Sequence, residues 1–160
     1  MKRTVRELMK QISLTEFPKI HEGATVEQAL MALEKYHSDA VLVMRGNDAI
    51  GLFSEKDLVK ISLYSKDGMI LDLEITEAMS PRIVGVTPEY QLDECMAVMT
   101  SMSVRHLPVY ENGKPIALLN IRHIMEALIQ DKEFVIGELV KYVTGTTIDK
   151  PKNNSGVMEN

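Results

Sequence analysis

The sequence has no tryptophan, one cysteine and few aromatic residues, 5% in all. Each scarcity closes off a class of function. Without aromatic platforms on which bases could stack, binding of single-stranded nucleic acid is not expected. Cys95 alone cannot form an intramolecular disulfide, which suits a reducing compartment, so a cytoplasmic location is expected. Positive charge is also short. Eighteen Lys and Arg face 23 Asp and Glu, giving a net charge of −5 and a pI near 5.4. A nucleic-acid binder needs the reverse, a basic face. No apolar run approaches the roughly 20 residues that span a bilayer. The charged opening MKRTVRELMKQI leads into neither the apolar segment nor the small-residue cleavage site of a signal peptide. Neither nucleic acid nor membrane is an expected partner.

Motifs of catalysis and metal binding are missing too. His21, His37, His106 and His123 show no HxxxH or HExxH spacing, so no metal site is expected. There is no GxSxG, P-loop or GxGxxG. Cys95 falls on the apolar stripe of a helix, where a thiol is packed rather than reactive. No catalytic residue is assigned, and an enzyme is not expected.

What remains is ordinary globular material. At 160 residues, 45% hydrophobic and 26% charged, the chain can build a proper core. Eleven methionines lie mostly among apolar residues and read as core filler.

The chain repeats itself. TVEQALMALEKY (25–36) carries Val26, Ala29, Leu30 and Leu33, and QLDECMAVMTSM (91–102) carries Leu92, Cys95, Met96 and Met99. Both sets follow i, i+3, i+4, i+7, the buried stripe of an amphipathic helix. They differ by a constant 66 positions, and the offset continues without a gap. AVLVM aligns with HLPVY, RGND with ENGK, and AIGLF with PIALL; a helix follows each. Asn112-Gly113 is a strong hairpin signal because both residues tolerate positive φ. An internal duplication is the simplest explanation. Each unit reads strand, helix, strand, hairpin, strand, helix, with opening strands near Pro18–His21 and Ile83–Val86. A strand–helix–strand step implies a right-handed crossover. The fold class is therefore α/β, two β-α-β-β-α units related by a pseudo-twofold axis.

The expected organisation is an N-terminal helix and lead-in (1–17), a first repeat (18–66), a linker (67–82) and a second repeat (83–130). A C-terminal helix (131–144) and a disordered polar tail (145–160) follow. The terminal helices carry apolar faces, Val5, Leu8, Met9 and Ile12 in one and Phe134, Val135, Leu139 and Tyr142 in the other. They either pack on their own domain or meet a partner.

In GLFSEKDLVK, a hydroxyl (Ser54) and a carboxylate (Asp57) stand one turn apart where a helix begins. They are either an N-cap with a first-turn dipole partner or a ligand site. The equivalent ALLNIRHIME carries Asn120 and His123 instead.

Together these residues resemble the CBS domain, whose repeat ends in Gly-apolar-apolar-Ser/Thr-x-x-Asp. GLFSEKDL, MSVRHLPVY and EAMSPRIVGVTP fit the pattern, and the match runs from about Ile20 to Leu128. Two in tandem resemble a Bateman module of the small stand-alone bacterial kind. The resemblance implies a regulatory module that binds AMP, ADP or ATP, or less commonly NAD or S-adenosylmethionine, and needs no cofactor. It implies an adenine slot at the edges of Ile20, Ala40 and Val41, and ribose hydroxyls on Asp57. Phosphate would lie at the helix N-terminus with Ser54 and Lys56. Arg105, His106 and Arg122 of the other repeat would face the phosphates. Asn120 and His123 depart from the pattern, since histidine lacks the paired acceptors of a carboxylate, and imply a degenerate second site. The resemblance also implies a homodimer through the helices around Val26–Leu33, Leu58–Ile61 and Leu92–Met99, and an effector protein that receives the signal. The alternative is a ligand-free structural or protein-interaction module whose nucleotide site has degenerated.

Overall fold

The computed structural model describes residues 2–145. The first repeat contains β1 (Lys19–His21), α2 (Val26–Tyr36), β2 (Ala40–Arg45), β3 (Asp48–Ser54) and α3 (Glu55–Tyr64). The second contains α5 (Leu92–Met102), β4 (His106–Glu111), β5 (Lys114–Asn120) and α6 (Ile121–Thr144). Helix α1 (Val5–Gln11) precedes the first repeat. A 3-10 turn (Ile70–Asp72) and α4 (Ile75–Ala78) lie between the two.

The duplication extends to backbone detail. Both long sheet helices begin with a capping box, Thr25 with Gln28 and Gln91 with Glu94, so orphan N–H groups of the first turn are satisfied. Both end on a left-handed residue, His37 and Ser103. In each repeat the hairpin ladder shifts register at one place, between Val43 and Met44 and between Val109 and Tyr110. Asn112 and Gly113 both adopt positive φ, as their hairpin signal requires.

One difference concerns the opening strands. β1 pairs in parallel with β2 over three residues. Its counterpart is reduced to a single parallel bridge, Val86 with Val109. Gly85 lies beside the Tyr110 ring and the Pro108 carbonyl, where a Cβ would collide.

Strand β2 is buried on both faces, which explains why AVLVM is a continuous apolar run. Val41 and Val43 point into the core of their own repeat, with Val26, Ala29, Leu33 and Phe53. Ala40, Leu42 and Met44 point the other way and meet Phe17 and Leu118. That second cluster joins the two repeats. The second repeat has its own core around Leu92, Cys95, Met99, Leu107 and Leu119.

The terminal segments divide between the two expectations. Val5 and Leu8 of α1 are buried in the core of the second repeat, not the first. Backbone bonds seat it there, from Val5 N–H to the Tyr90 carbonyl and from Leu92 N–H to the Arg3 carbonyl, each 2.9 Å. Helix α4 docks on the first repeat in the same way, with Ile75 N–H bonded to the Ala24 carbonyl at 2.8 Å. Each lead-in helix therefore caps the other end of the chain. Helix α6 runs unbroken from Ile121 to Thr144, so the segment expected as a separate C-terminal helix is its continuation. Along it Phe134, Val135, Ile136, Leu139 and Val143 are all more than half exposed. The expected disordered tail lies, beyond Gly145, outside the described residues.

Candidate functional site

A cleft of about 590 Å³ opens between the repeats. The first repeat contributes the α2–β2 corner, Tyr36 to Asp39, and Glu55 at the start of α3. The second contributes His106, Leu118, Asn120, Arg122 and His123. The segment after α1 closes one side with Leu14, Glu16, Phe17 and Pro18. The volume lies within the range of small-molecule sites.

A hydrogen-bonded group spans the cleft. His106 is buried, and its Nε2 lies 2.6 Å from Asp39 Oδ1. An ionised carboxylate only accepts, so Nε2 carries the proton. Asn120 Nδ2 donates to the same oxygen at 3.2 Å, while Asn120 Oδ1 accepts from Arg122 N–H at 2.8 Å. The two bonds fix the orientation of the amide. Asn120 Nδ2 and His106 Nε2 approach to 3.4 Å, but both are donors here and make no bond.

His123 sits half-buried one turn into α6. Its Nδ1 accepts from Asn120 N–H at 3.3 Å, the back half of a capping box. Burial pushes its pKa below the usual histidine value; Glu126 opposes the shift, and Arg122 and His106 reinforce it. With Nδ1 accepting, the neutral ring keeps its proton on Nε2 as a donor.

Asp57, the equivalent carboxylate in the first repeat, is differently engaged. It is 6% exposed and receives three bonds. Ser54 N–H at 2.9 Å and Ser54 Oγ at 3.2 Å donate to Oδ2, and Ser80 Oγ donates to Oδ1 at 2.9 Å. Ser80 is held by two backbone bonds to Leu52. The Ser54–Asp57 pair thus acts as a helix start tied to the linker.

Of the residues singled out in the sequence, His106, Arg122, Asn120 and His123 come together around one cleft. Ser54, Lys56, Asp57, Ile20, Ala40, Val41 and Arg105 do not line it. Val41 is packed in the first repeat's core, with Ile20 against the same cluster. Ala40 lies in the inter-repeat cluster, and the side chains of Lys56 and Arg105 are exposed. The arrangement differs from the one expected, because two of the three expected phosphate-facing residues accompany the Asn120/His123 pair rather than Asp57. Asp39, Glu16 and Glu55 were not singled out. The constant offset holds the one signal for Asp39, which occupies the position of Arg105.

The CBS domain family description matches residues 5–64 and 74–130, which is most of the chain. The chain belongs to the CBS-domain family. A putative signal-transduction protein with CBS domains from Burkholderia ambifaria has a solved structure 30% identical, with a TM-score of 0.74. The match covers 81% of this chain and 96% of that one. An uncharacterised 17.7 kDa protein of Acidianus ambivalens is 24% identical over 89% of this chain and 86% of its own length. Longer plant CBS proteins of Arabidopsis thaliana match 74% of the chain, which spans only 21% to 22% of their length. A CBS domain pair crystallised with 5′-methylthioadenosine and S-adenosyl-L-methionine is 13% identical, with a TM-score of 0.69, and shares the fold. That likeness covers 82% of this chain and 99% of the other. The protein is a CBS pair, a regulatory module, and no helix among its described residues is long and apolar enough to cross a membrane.

Proposed function

We propose that this CBS pair is a sensor without catalytic activity of its own, and that it holds an adenosine compound in the cleft between its repeats. The observation that carries this reading is the cleft itself. It is the right size for a nucleoside, and its walls come from both repeats, so a bound ligand contacts both at once. Leu118 and Phe17 offer an apolar slot for a base, while His106, Asn120, Arg122 and His123 supply donors. Ligand can shift the angle between the repeats only as far as its affinity differs between the two states. Such a shift is the signal an effector protein would read.

The pseudo-twofold axis generates a counterpart site from Ser54, Lys56, Asp57 and Arg105, with the backbone edges of Ile20, Ala40 and Val41. AMP, ADP or ATP is the ligand expected there. Binding a ribose through both oxygens of Asp57 requires Ser80 to release Oδ1. The counterpart is therefore the weaker of the two sites. A homodimer through the exposed faces of the CBS helices belongs to the same proposal.

A thermal-shift panel of adenosine, 5′-methylthioadenosine, S-adenosylmethionine, AMP, ADP, ATP, NAD and GMP tests the reading. A ligand at about 100 times its dissociation constant stabilises by roughly 2.7 kcal/mol. That corresponds to a rise of about 5–10 °C in a chain of this size. The rise should shrink in His123→Ala and in Arg122→Ala. A flat panel on ligand-free protein overturns the reading in favour of an interaction module.

A further inference from the structure

The charges around the cleft are unbalanced. Glu16, Asp39 and Glu55 face it from the first half of the chain, and Arg122 is the only Lys or Arg in its walls among the described residues. Burial disfavours the charged form of His123. The 66-residue offset makes the contrast with the counterpart site sharp. Asp39 corresponds to Arg105, and Arg122 to Lys56. Glu16 stands four residues before Ile20, and Arg82 stands four before Val86. Ile20 and Val86 are the equivalent pairing positions of the two repeats. Two acidic positions on one side of the axis are thus arginines on the other.

The bonding around Asp39 adds to this. Two of the cleft's donors, His106 N–H and the Asn120 amide, already point at Asp39 Oδ1. A phosphate brought to them would have to displace a carboxylate or lie against it, and like charges held together at a site select against that ligand. Asp39 Oδ2 has no hydrogen-bond partner among the described residues, and the side chain is 37% exposed. Two vicinal hydroxyls can donate to such a carboxylate.

We infer that this cleft takes an adenosine compound without phosphate, either uncharged or cationic, and that Asp39 is the residue that sets this specificity. The inference rests on the proposed adenosine reading and adds the charge class. Asp39 accepts the ribose hydroxyls and repels phosphate. Glu16 and Glu55 extend the repulsion along the wall.

The test uses the full chain and the ring signals of His106 and His123, assigned in NMR spectra with His106→Gln and His123→Gln. Both rings line this cleft, so ligand at the counterpart site does not stand in for ligand here. Adenosine and S-adenosylmethionine should move the two signals at concentrations at least tenfold below those AMP and ATP require. Asp39→Asn should narrow that ratio. Asp39→Arg, which installs the residue of the other repeat, should invert it, with circular dichroism confirming that both variants fold. If AMP or ATP moves the signals at equal or lower concentration in the natural chain, the inference fails. It also fails if the ratio survives Asp39→Arg unchanged. If no adenosine compound moves either ring at any concentration, the adenosine reading itself has failed.

Discussion

Asp39 Oδ1 and His106 Nε2 lie 2.6 Å apart, joining the two repeats through a buried imidazole and a carboxylate at the mouth of the cleft. Asn120 adds a second donor to the same oxygen and simultaneously caps α6. One side chain thus supports both the helix start and the junction of the repeats. Asn120→Ala removes both bonds. The loss should be about 1–2 kcal/mol, the upper range for an N-cap, and should lower the melting temperature by about 2–8 °C in calorimetry. An unchanged melting temperature would show that neither bond contributes.

His123 gives the protein a pH dependence of defined sign. Its folded-state pKa lies below the ordinary value, chiefly because it is half-buried. Above the unfolded pKa of about 6.5 the ring is neutral in both states and costs nothing. As pH falls through that value the unfolded chain takes up the proton first, so stability declines until the folded-state pKa is passed. Denaturant titrations at pH 7.5 and pH 5 should show this loss, and it should be smaller in His123→Gln. An equal loss in both proteins would assign it to other groups.

Phe53 is fully buried in the core of the first repeat, among Val26, Val41 and Ile75. Phe53→Ala should cost about 3–5 kcal/mol, since the lost burial adds to the cavity left behind. The midpoint of urea unfolding measures it. A cost below 1 kcal/mol would mean that this core collapses around the gap.

Cys95 is fully buried on α5, and burial pushes its thiol up to about 11. Only a thiolate reacts readily, so a thiol reagent at pH 8 should label the native protein no faster than it unfolds. Rapid stoichiometric labelling without denaturant would contradict the packing described for the second repeat.

The exposed apolar residues obey the duplication as the buried ones do. Val59 and Leu63 on α3 correspond to Met125 and Ile129 on α6, and all four are about half exposed or more. By contrast Val26, Ala29, Leu33, Leu92, Cys95 and Met99 are buried within their own repeats. Of the helices expected at a dimer interface, α2 and α5 therefore turn those faces inward and have only residues such as Met31 and Met102 to offer. If α3 and α6 form the dimer contact, Leu63→Glu combined with Ile129→Glu should halve the mass seen in sedimentation equilibrium. A doubly substituted chain of unchanged mass would place the contact elsewhere or show there is none.

Much of the fold could be read before any coordinates, because local chemistry repeats at a fixed distance. Thr25 and Gln91 start helices, Asn112-Gly113 turns a hairpin, and the apolar stripes of α2 and α5 face cores as their spacing requires. Docking partners were less legible. Val5 and Leu8 announce an amphipathic helix, but a stripe does not say which of two similar cores it enters. The site was partly legible for the same reason. Ser54 and Asp57 signal a helix start, yet nothing local reveals that Ser80, 23 residues on, completes the carboxylate's bonding. The role of Asp39 depends on His106, 67 residues away, and only three-dimensional proximity pairs them.

The crossed seating of α1 and α4 imposes an order on synthesis. A chain emerging from the ribosome can complete the first repeat's own core as soon as α4 appears, because every residue buried in that core then lies behind it. The Ala40–Leu42–Met44 face of β2 still waits for Leu118. Helix α1, which precedes both repeats, has no complete seat until residues up to Ala127 have followed. Val5 and Leu8 must therefore remain uncovered until the second repeat has been made, so a helix that precedes both repeats locks only with the later of them.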